Sequence, residues 1–158
     1  PGISSAASDV YKRQTVNPVI IFPASGTGAW EAALVNTLND GDNVLMVETG
    51  HFASLWNNMA QKLGLKVELL KTDWRQGLDP NEIEKRLRLD ADKKIKAVCI
   101  VHNETSTGCT SDVKAVREIL DNLNHDALLM VDTISGLASM NYEHDEWGVD
   151  ITLSLIHI

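Results

Sequence analysis

The sequence predicts an α/β fold: a mainly parallel central sheet with helices on both faces, in three layers. Short β-branched or apolar runs alternate with helical patterns of roughly 10 to 13 residues, the rhythm of strand–helix–strand units. Two of the runs, Ala97–Val101 and Ala127–Val131, are apolar almost without interruption, as strands buried on both faces must be. A third run, Ile20–Phe22, enters the small-residue loop Pro23-Ala-Ser-Gly-Thr-Gly28 and then an Ala-rich helix. That joint between strand and helix is where such sheets bind anions, because backbone N–H groups are free at the helix start.

The elements follow in order. Val19–Phe22 is β-branched and predicts a strand that Pro23 ends. Ala29, Ala33, Leu34 and Leu38 repeat at helical spacing, and Asn39-Asp-Gly-Asp42 is a turn that closes the helix. Val44–Glu48 is the next strand. A loop, Thr49–Phe52, leads to a helix with Leu55, Trp56, Met59 and Leu63 on one face and Gly64 at its end. Lys66–Leu70 alternates as a strand, and Thr72–Gly77 is a loop. Asp79-Pro80 followed by Glu82 marks a helix start, with Asp as cap, Pro in the first turn and Glu completing a capping-box-like pair. Ile83 and Leu87 face inward there, while Glu82 with Arg86 and Glu84 with Arg88 are spaced to pair on the solvated face. After the strand at Ala97–Val101 comes the polar loop His102–Gly108. A fourth helix carries Val113, Val116, Ile119, Leu120 and Leu123 on its inner face. Ala127–Val131 then ends at Asp132, and Trp147–Ser154 contains a final short strand.

Composition removes several classes of function. The 158 residues, 44% of them hydrophobic, suffice for one domain with a sizeable core. A formal net charge of -8 with no basic stripe argues against nucleic acid and against anionic membrane surfaces. No apolar run approaches the roughly 18 residues of a membrane-spanning helix. Cys99 and Cys109 make neither a disulfide framework nor a metal-ligand spacing, so no metal site is expected and a reducing, cytoplasmic compartment is the simpler expectation.

In a parallel sheet the loops leaving the strand C-termini share one edge, and ligands bind along it. Four polar loops have that address: Ser25–Gly28, Gly50–Phe52, Asn103–Gly108 and the segment opening at Asp132. Together they offer an anion cradle, a flat side chain for stacking, hydroxyls and a carboxylate, which suits a nucleotide or an aromatic phosphate. The cradle lacks the third glycine of a dinucleotide loop and the Gly-Lys-Ser/Thr of a Walker loop.

Five motifs in register make the pattern specific: Ser25-Gly-Thr-Gly-Ala-Trp-Glu-Ala-Ala33, Gly50-His-Phe52, Val101-His-Asn-Glu-Thr-Ser-Thr-Gly108, Val131-Asp-Thr-Ile-Ser135 and Asp145-Glu-Trp-Gly-Val-Asp-Ile151. In order and spacing they resemble the class V pyridoxal-phosphate aminotransferases, most closely the serine–glyoxylate and alanine–glyoxylate branch, over about Asn17 to Ser154. The resemblance implies the large domain of the fold-type I transferases and the cofactor pyridoxal 5'-phosphate. It implies that Thr27 and Gly28 hold the cofactor phosphate, that Phe52 stacks on the pyridine face, and that Ile134 packs on the opposite face. It also implies that the Thr105 hydroxyl bonds the ring oxygen and that Asp132 pairs with the pyridine nitrogen. A nearby anion favours the protonated ring, which can then withdraw electrons. His51 and His102 are expected to be structural, Glu104 to order its loop, Trp147 and Asp150 to be structural, and Trp30 to pack beside the cradle.

The Schiff-base lysine of the resembled family would fall at 158, where Ile158 stands. Residues 1–14 and 155–158 read as non-native leader and tail around a partial cofactor-binding large domain, 15–154, with the C-terminal small domain absent. The expectation is a fragment, inactive by itself, of an aminotransferase acting on a small amino acid, serine or alanine, and the 2-oxo acid glyoxylate, homodimeric when intact. Two alternatives stay open: a desulfurase or lyase of the same fold, for which Cys109 beside the cofactor loop is poorly placed, and a non-catalytic nucleotide-binding domain.

Overall fold

The computed structural model describes residues 17–155. Helix α1 (Gly26–Thr37) is followed by β1 (Asn43–Glu48), α2 (His51–Lys62), β2 (Lys66–Lys71), α3 (Pro80–Leu89) and β3 (Ile95–Val101). A small hairpin of β4 (Asn103–Glu104) and β5 (Cys109–Thr110) precedes α4 (Val113–Asn122), β6 (Leu128–Asp132) and β7 (Ile151–Leu153).

Five strands form one sheet in the order β2-β1-β3-β6-β7, each paired in parallel with its neighbours. From β1 the chain moves outward to β2, then crosses back to place β3 on the other side of β1. The order therefore reverses between β1 and β3, and a crevice opens at their C-terminal ends.

Alternation along each strand divides the core in two. Leu45 and Val47 of β1, Val98 and Ile100 of β3, and Leu129 and Val131 of β6 face α3 and α4, where Ile83, Leu87, Val116 and Leu120 are buried. Val44 and Met46, Ala97, Cys99 and Val101, and Met130 face α1 and α2 on the other side, where Trp30, Leu34, Trp56 and Ala60 are buried. The two-residue period of the strands thus produces the three layers the sequence predicts.

The local structure departs from the sequence expectations in four places. Val19–Phe22 is not a strand: it pairs with no strand among the described residues, and Ile20 is 82% exposed. Its β-branched composition is permissive, but a strand forms only where an edge is offered to it. The buried face of α2 is Ala53, Trp56, Asn57 and Ala60, with Leu55 turned outward. Arg86 pairs with Glu68 on β2 rather than with Glu82, which pairs with Lys85; Glu84 and Arg88 do pair, at 2.6 Å. Asp79 caps α3 by accepting from the Asn81 N–H at 2.9 Å. The hairpin of β4 and β5 falls where the sequence predicts an open loop.

Candidate functional site

The crevice receives one helix start and three strand ends. At the start of α1, Ser25 is the cap: its Oγ accepts from the Gly28 N–H at 3.4 Å and lies 2.6 Å from Thr27 Oγ1. Gly28 is thereby drawn into the cap and does not line the cavity, whereas Ser25, Gly26 and Thr27 do. The amides of Gly26 and Thr27 stand in the first turn, where a helix provides no acceptor of its own, and the helix dipole adds partial positive charge. A Cβ on Gly26 would lie 2.6 Å from Ile134 Cδ1, so glycine lets α1 begin directly against the loop after β6.

A cavity of about 210 Å³ opens between this turn and the strand ends. Thr27, Phe52, Thr105, Asp132 and Ile134, which the sequence assigns to one ligand from four separate segments, all line it. Trp30, Leu55, Asn103 and Ser135 line it as well. Phe52 and Leu55, about a third exposed, form an apolar rim, and Thr105 is exposed. Ile158 lies outside the described residues.

Asp132 is 3% exposed at the end of β6. One carboxylate oxygen accepts from the Ile134 N–H at 2.7 Å and the other from the Trp30 indole N–H at 2.8 Å. Burial pushes its acid up to about 6, with the charge of Glu104 adding to the rise and the two hydrogen bonds opposing it. The sequence places Trp30 as packing, and it does pack, stacked on Trp56 with ring centroids 6.0 Å apart. Its bond to Asp132 is the functional feature the sequence reading missed. The available signal was chemical: a buried indole N–H needs an acceptor.

Glu104 is fully buried and joins two parts of the site. Its carboxylate accepts from the Phe52 and Ala53 N–H groups at the start of α2, at 3.3 and 3.0 Å, and from the Ser106 N–H and hydroxyl at 3.1 and 2.7 Å. A negative group on a helix N-terminus satisfies amides that the helix cannot. The same bonds fix the loop carrying Thr105 to the residue carrying the Phe52 ring. Gly50 makes this possible, since a Cβ there would lie 2.4 Å from Glu104 Cγ.

Neither nearby histidine is placed as a base. His51 is exposed and meets the Phe52 ring edge-on. The His102 imidazole is buried against Tyr142 and Trp147, and burial lowers its pKa, so it is neutral. The Cys109 thiol lies 3.1 Å from the Trp74 carbonyl, and Cys99 is buried with its thiol pushed up to about 12. A wider, open groove of about 610 Å³ lies at the opposite edge of the sheet, near the starts of β6 and β7. Its charged side chains serve one another, as Arg117 does with Asp121 at 2.7 Å, and it shares no residue with the crevice.

An anion cradle, an apolar rim, a hydroxyl and a buried carboxylate in one small cavity can hold a flat phosphorylated heterocycle. The comparisons with known proteins agree. The family model "Aminotransferase class-V" matches residues 11–156. The chain is 49% identical to serine–glyoxylate aminotransferase of Methylorubrum extorquens over 140 residues, covering 89% of this chain and 35% of that protein. It is 44% identical to L-aspartate–glyoxylate aminotransferase of Paracoccus denitrificans over 142 residues, covering 90% of this chain and 36% of that protein. The crystal structure of alanine–glyoxylate aminotransferase from Nostoc sp. superimposes with a TM-score of 0.82 at 32% identity, covering 91% of this chain and 37% of that one. The chain thus spans about a third of the length of the curated relatives it matches. With the fold, the register of the motifs and these relatives in agreement, the chain belongs to the class V aminotransferase family.

Proposed function

We propose that this chain forms the cofactor-binding part of a pyridoxal-phosphate-dependent aminotransferase that passes the amino group of a small amino acid to glyoxylate. The observation that carries the reading is Asp132: a buried carboxylate held by two donors on the floor of a cavity whose mouth is apolar and whose far end is a helix start. Such a group is suited to a cationic ring nitrogen, because pairing with a cation offsets the desolvation that otherwise penalises its charge.

Pyridoxal phosphate fits the residues present. The first turn of α1, with the Thr27 hydroxyl, would take the phosphate. Phe52 and Ile134 would flank the ring, and offset contact with a flat ring favours the Phe52 side. The Thr105 hydroxyl would bond the ring oxygen. Bound there, the cofactor supplies an aldehyde for the amine and a protonated ring that withdraws electrons from the carbon exchanging its amino group. Asp132, ionised above about pH 6, would accept a hydrogen bond from the protonated ring nitrogen.

Serine is favoured as donor because three relatives at 43–49% identity bear the name serine–glyoxylate aminotransferase, against one at 44% named for aspartate and a solved neighbour at 32% named for alanine. The remainder of such an enzyme would supply the small domain, and a homodimer is the assembly we expect. Two free cysteines support a reducing, cytoplasmic setting.

A ligand that binds only the folded chain raises its melting temperature. Pyridoxal phosphate should do so here in a saturable way, and adenine nucleotides should not. In a protein of the relatives' full length carrying this segment, serine and glyoxylate should give glycine. Protection by nucleotides with none by pyridoxal phosphate would sink the proposal in favour of a nucleotide-binding domain.

A further inference from the structure

Asp132 is the group on which the proposed function turns, and its surroundings set both its direction and its charge. Among the donors to its carboxylate, the Ile134 N–H comes from its own loop and would follow any movement of it. The Trp30 indole comes from another layer of the fold, 102 residues away in sequence. Trp30 is 2% exposed, and its ring is pressed nearly parallel to Trp56 of α2, itself 1% exposed. A side chain so confined presents its N–H in one direction only. We propose that Trp30 is the positioning residue for Asp132, aiming one carboxylate oxygen and keeping the group ionised so that it can meet a cationic ring; the cofactor half of this statement rests on the proposed function.

The electrostatic surroundings make the role necessary. Burial opposes the charged form of Asp132, and Glu104, on β4, opposes it further. His102, at the adjoining end of β3, has its own charged form disfavoured by burial and is not among the groups that favour the Asp132 charge. Two hydrogen bonds are therefore what favour ionisation: one from backbone and one from Trp30. A hydrogen bond to a charged group lost from a buried site raises the acid's midpoint by about one pH unit.

The test uses the full chain and the variant Trp30→Phe, which keeps an aromatic ring against Trp56 and removes the N–H. Carboxyl carbon NMR of the cofactor-free chain should show the Asp132 midpoint rising by about one pH unit. In the unmodified chain, the Trp30 indole N–H resonance should move with the same midpoint as Asp132, and Asp132→Asn should abolish that movement; this measurement does not depend on the variant folding. Pyridoxal phosphate affinity should fall about fivefold at pH 6 and agree within about twofold at pH 8.5, as the ionised fraction dictates. An unchanged Asp132 midpoint, an indole resonance indifferent to it, or an equal loss of affinity at both pH values overturns the proposal and leaves Trp30 a packing residue. If the midpoint rises but the unmodified chain shows no saturable binding of pyridoxal phosphate, the functional reading falls while the hold of Trp30 on Asp132 stands.

Discussion

Replacing Asp132 by Asn isolates what the site costs the fold. The folded chain keeps Asp132 protonated up to about pH 6, whereas an unfolded chain keeps it only to the ordinary carboxylate value of 3.8. Between those values folding takes up a proton, so this group's contribution is fully present in acid and is lost as pH rises through the folded midpoint. A difference of about two pH units corresponds to about 3 kcal/mol in the limit, at about 1.4 kcal/mol per unit. Between pH 7.5 and pH 4 the two-state expression gives about 2 kcal/mol. Asparagine does not titrate, and every other group is common to the two proteins, so the difference between them isolates Asp132. Urea unfolding followed by circular dichroism should show the wild type gaining about 2 kcal/mol on Asp132→Asn when the pH is lowered from 7.5 to 4. A difference that stays constant across that range would refute the assignment of a buried, upshifted carboxylate. The functional counterpart is direct: at neutral pH the ionised group is held against desolvation, and a cation in the cavity relieves it. Asp132→Asn should therefore lose most of its affinity for pyridoxal phosphate, and its single acceptor oxygen can serve only one of the two donors, Trp30 and Ile134.

Three further outcomes follow from the same geometry. Glu104→Ala strips acceptors from the Phe52, Ala53 and Ser106 amides and should cost about 2–3 kcal/mol in urea unfolding, because buried donors left unpaired carry their full desolvation penalty. Gly50→Ala drives a methyl into the same carboxylate and should weaken α2 in the same direction; a melting temperature unchanged from wild type would contradict the contact. Phe52→Ala, on a residue 36% exposed, should cost about 1–2 kcal/mol of stability and weaken pyridoxal phosphate binding roughly tenfold in a fluorescence titration, through loss of ring contact.

Much of this protein is written locally. The apolar runs at Val44–Val47, Ala97–Val101 and Ala127–Val131 place three strands. The Asp79-Pro80 start places α3, and the helical spacing of Val113, Val116 and Leu120 places the inner face of α4. These features depend on residues within one turn or one pleat of each other, so periodicity and turn chemistry suffice to reveal them. The site was legible for a related reason. In a parallel sheet every strand's C-terminus lies on one edge, so the loops of Phe52, Thr105, Asp132 and Ile134 could be given a common address from their positions after strands, whereas Thr27 follows a run that is no strand and was named by the family resemblance. Tertiary structure alone decided what those positions do to one another. It withheld a partner strand from Val19–Phe22, turned Arg86 away from its own helix to Glu68, and drew Gly28 into a cap. It brought the Trp30 indole to Asp132, and it buried Glu104 where it could tie Phe52 to the loop of Thr105. Sequence spacing encodes which way a side chain faces on its own element. Which donor meets which acceptor across 102 residues is set only when the layers close, and there the strength of each hydrogen bond and the charge of each buried acid are determined.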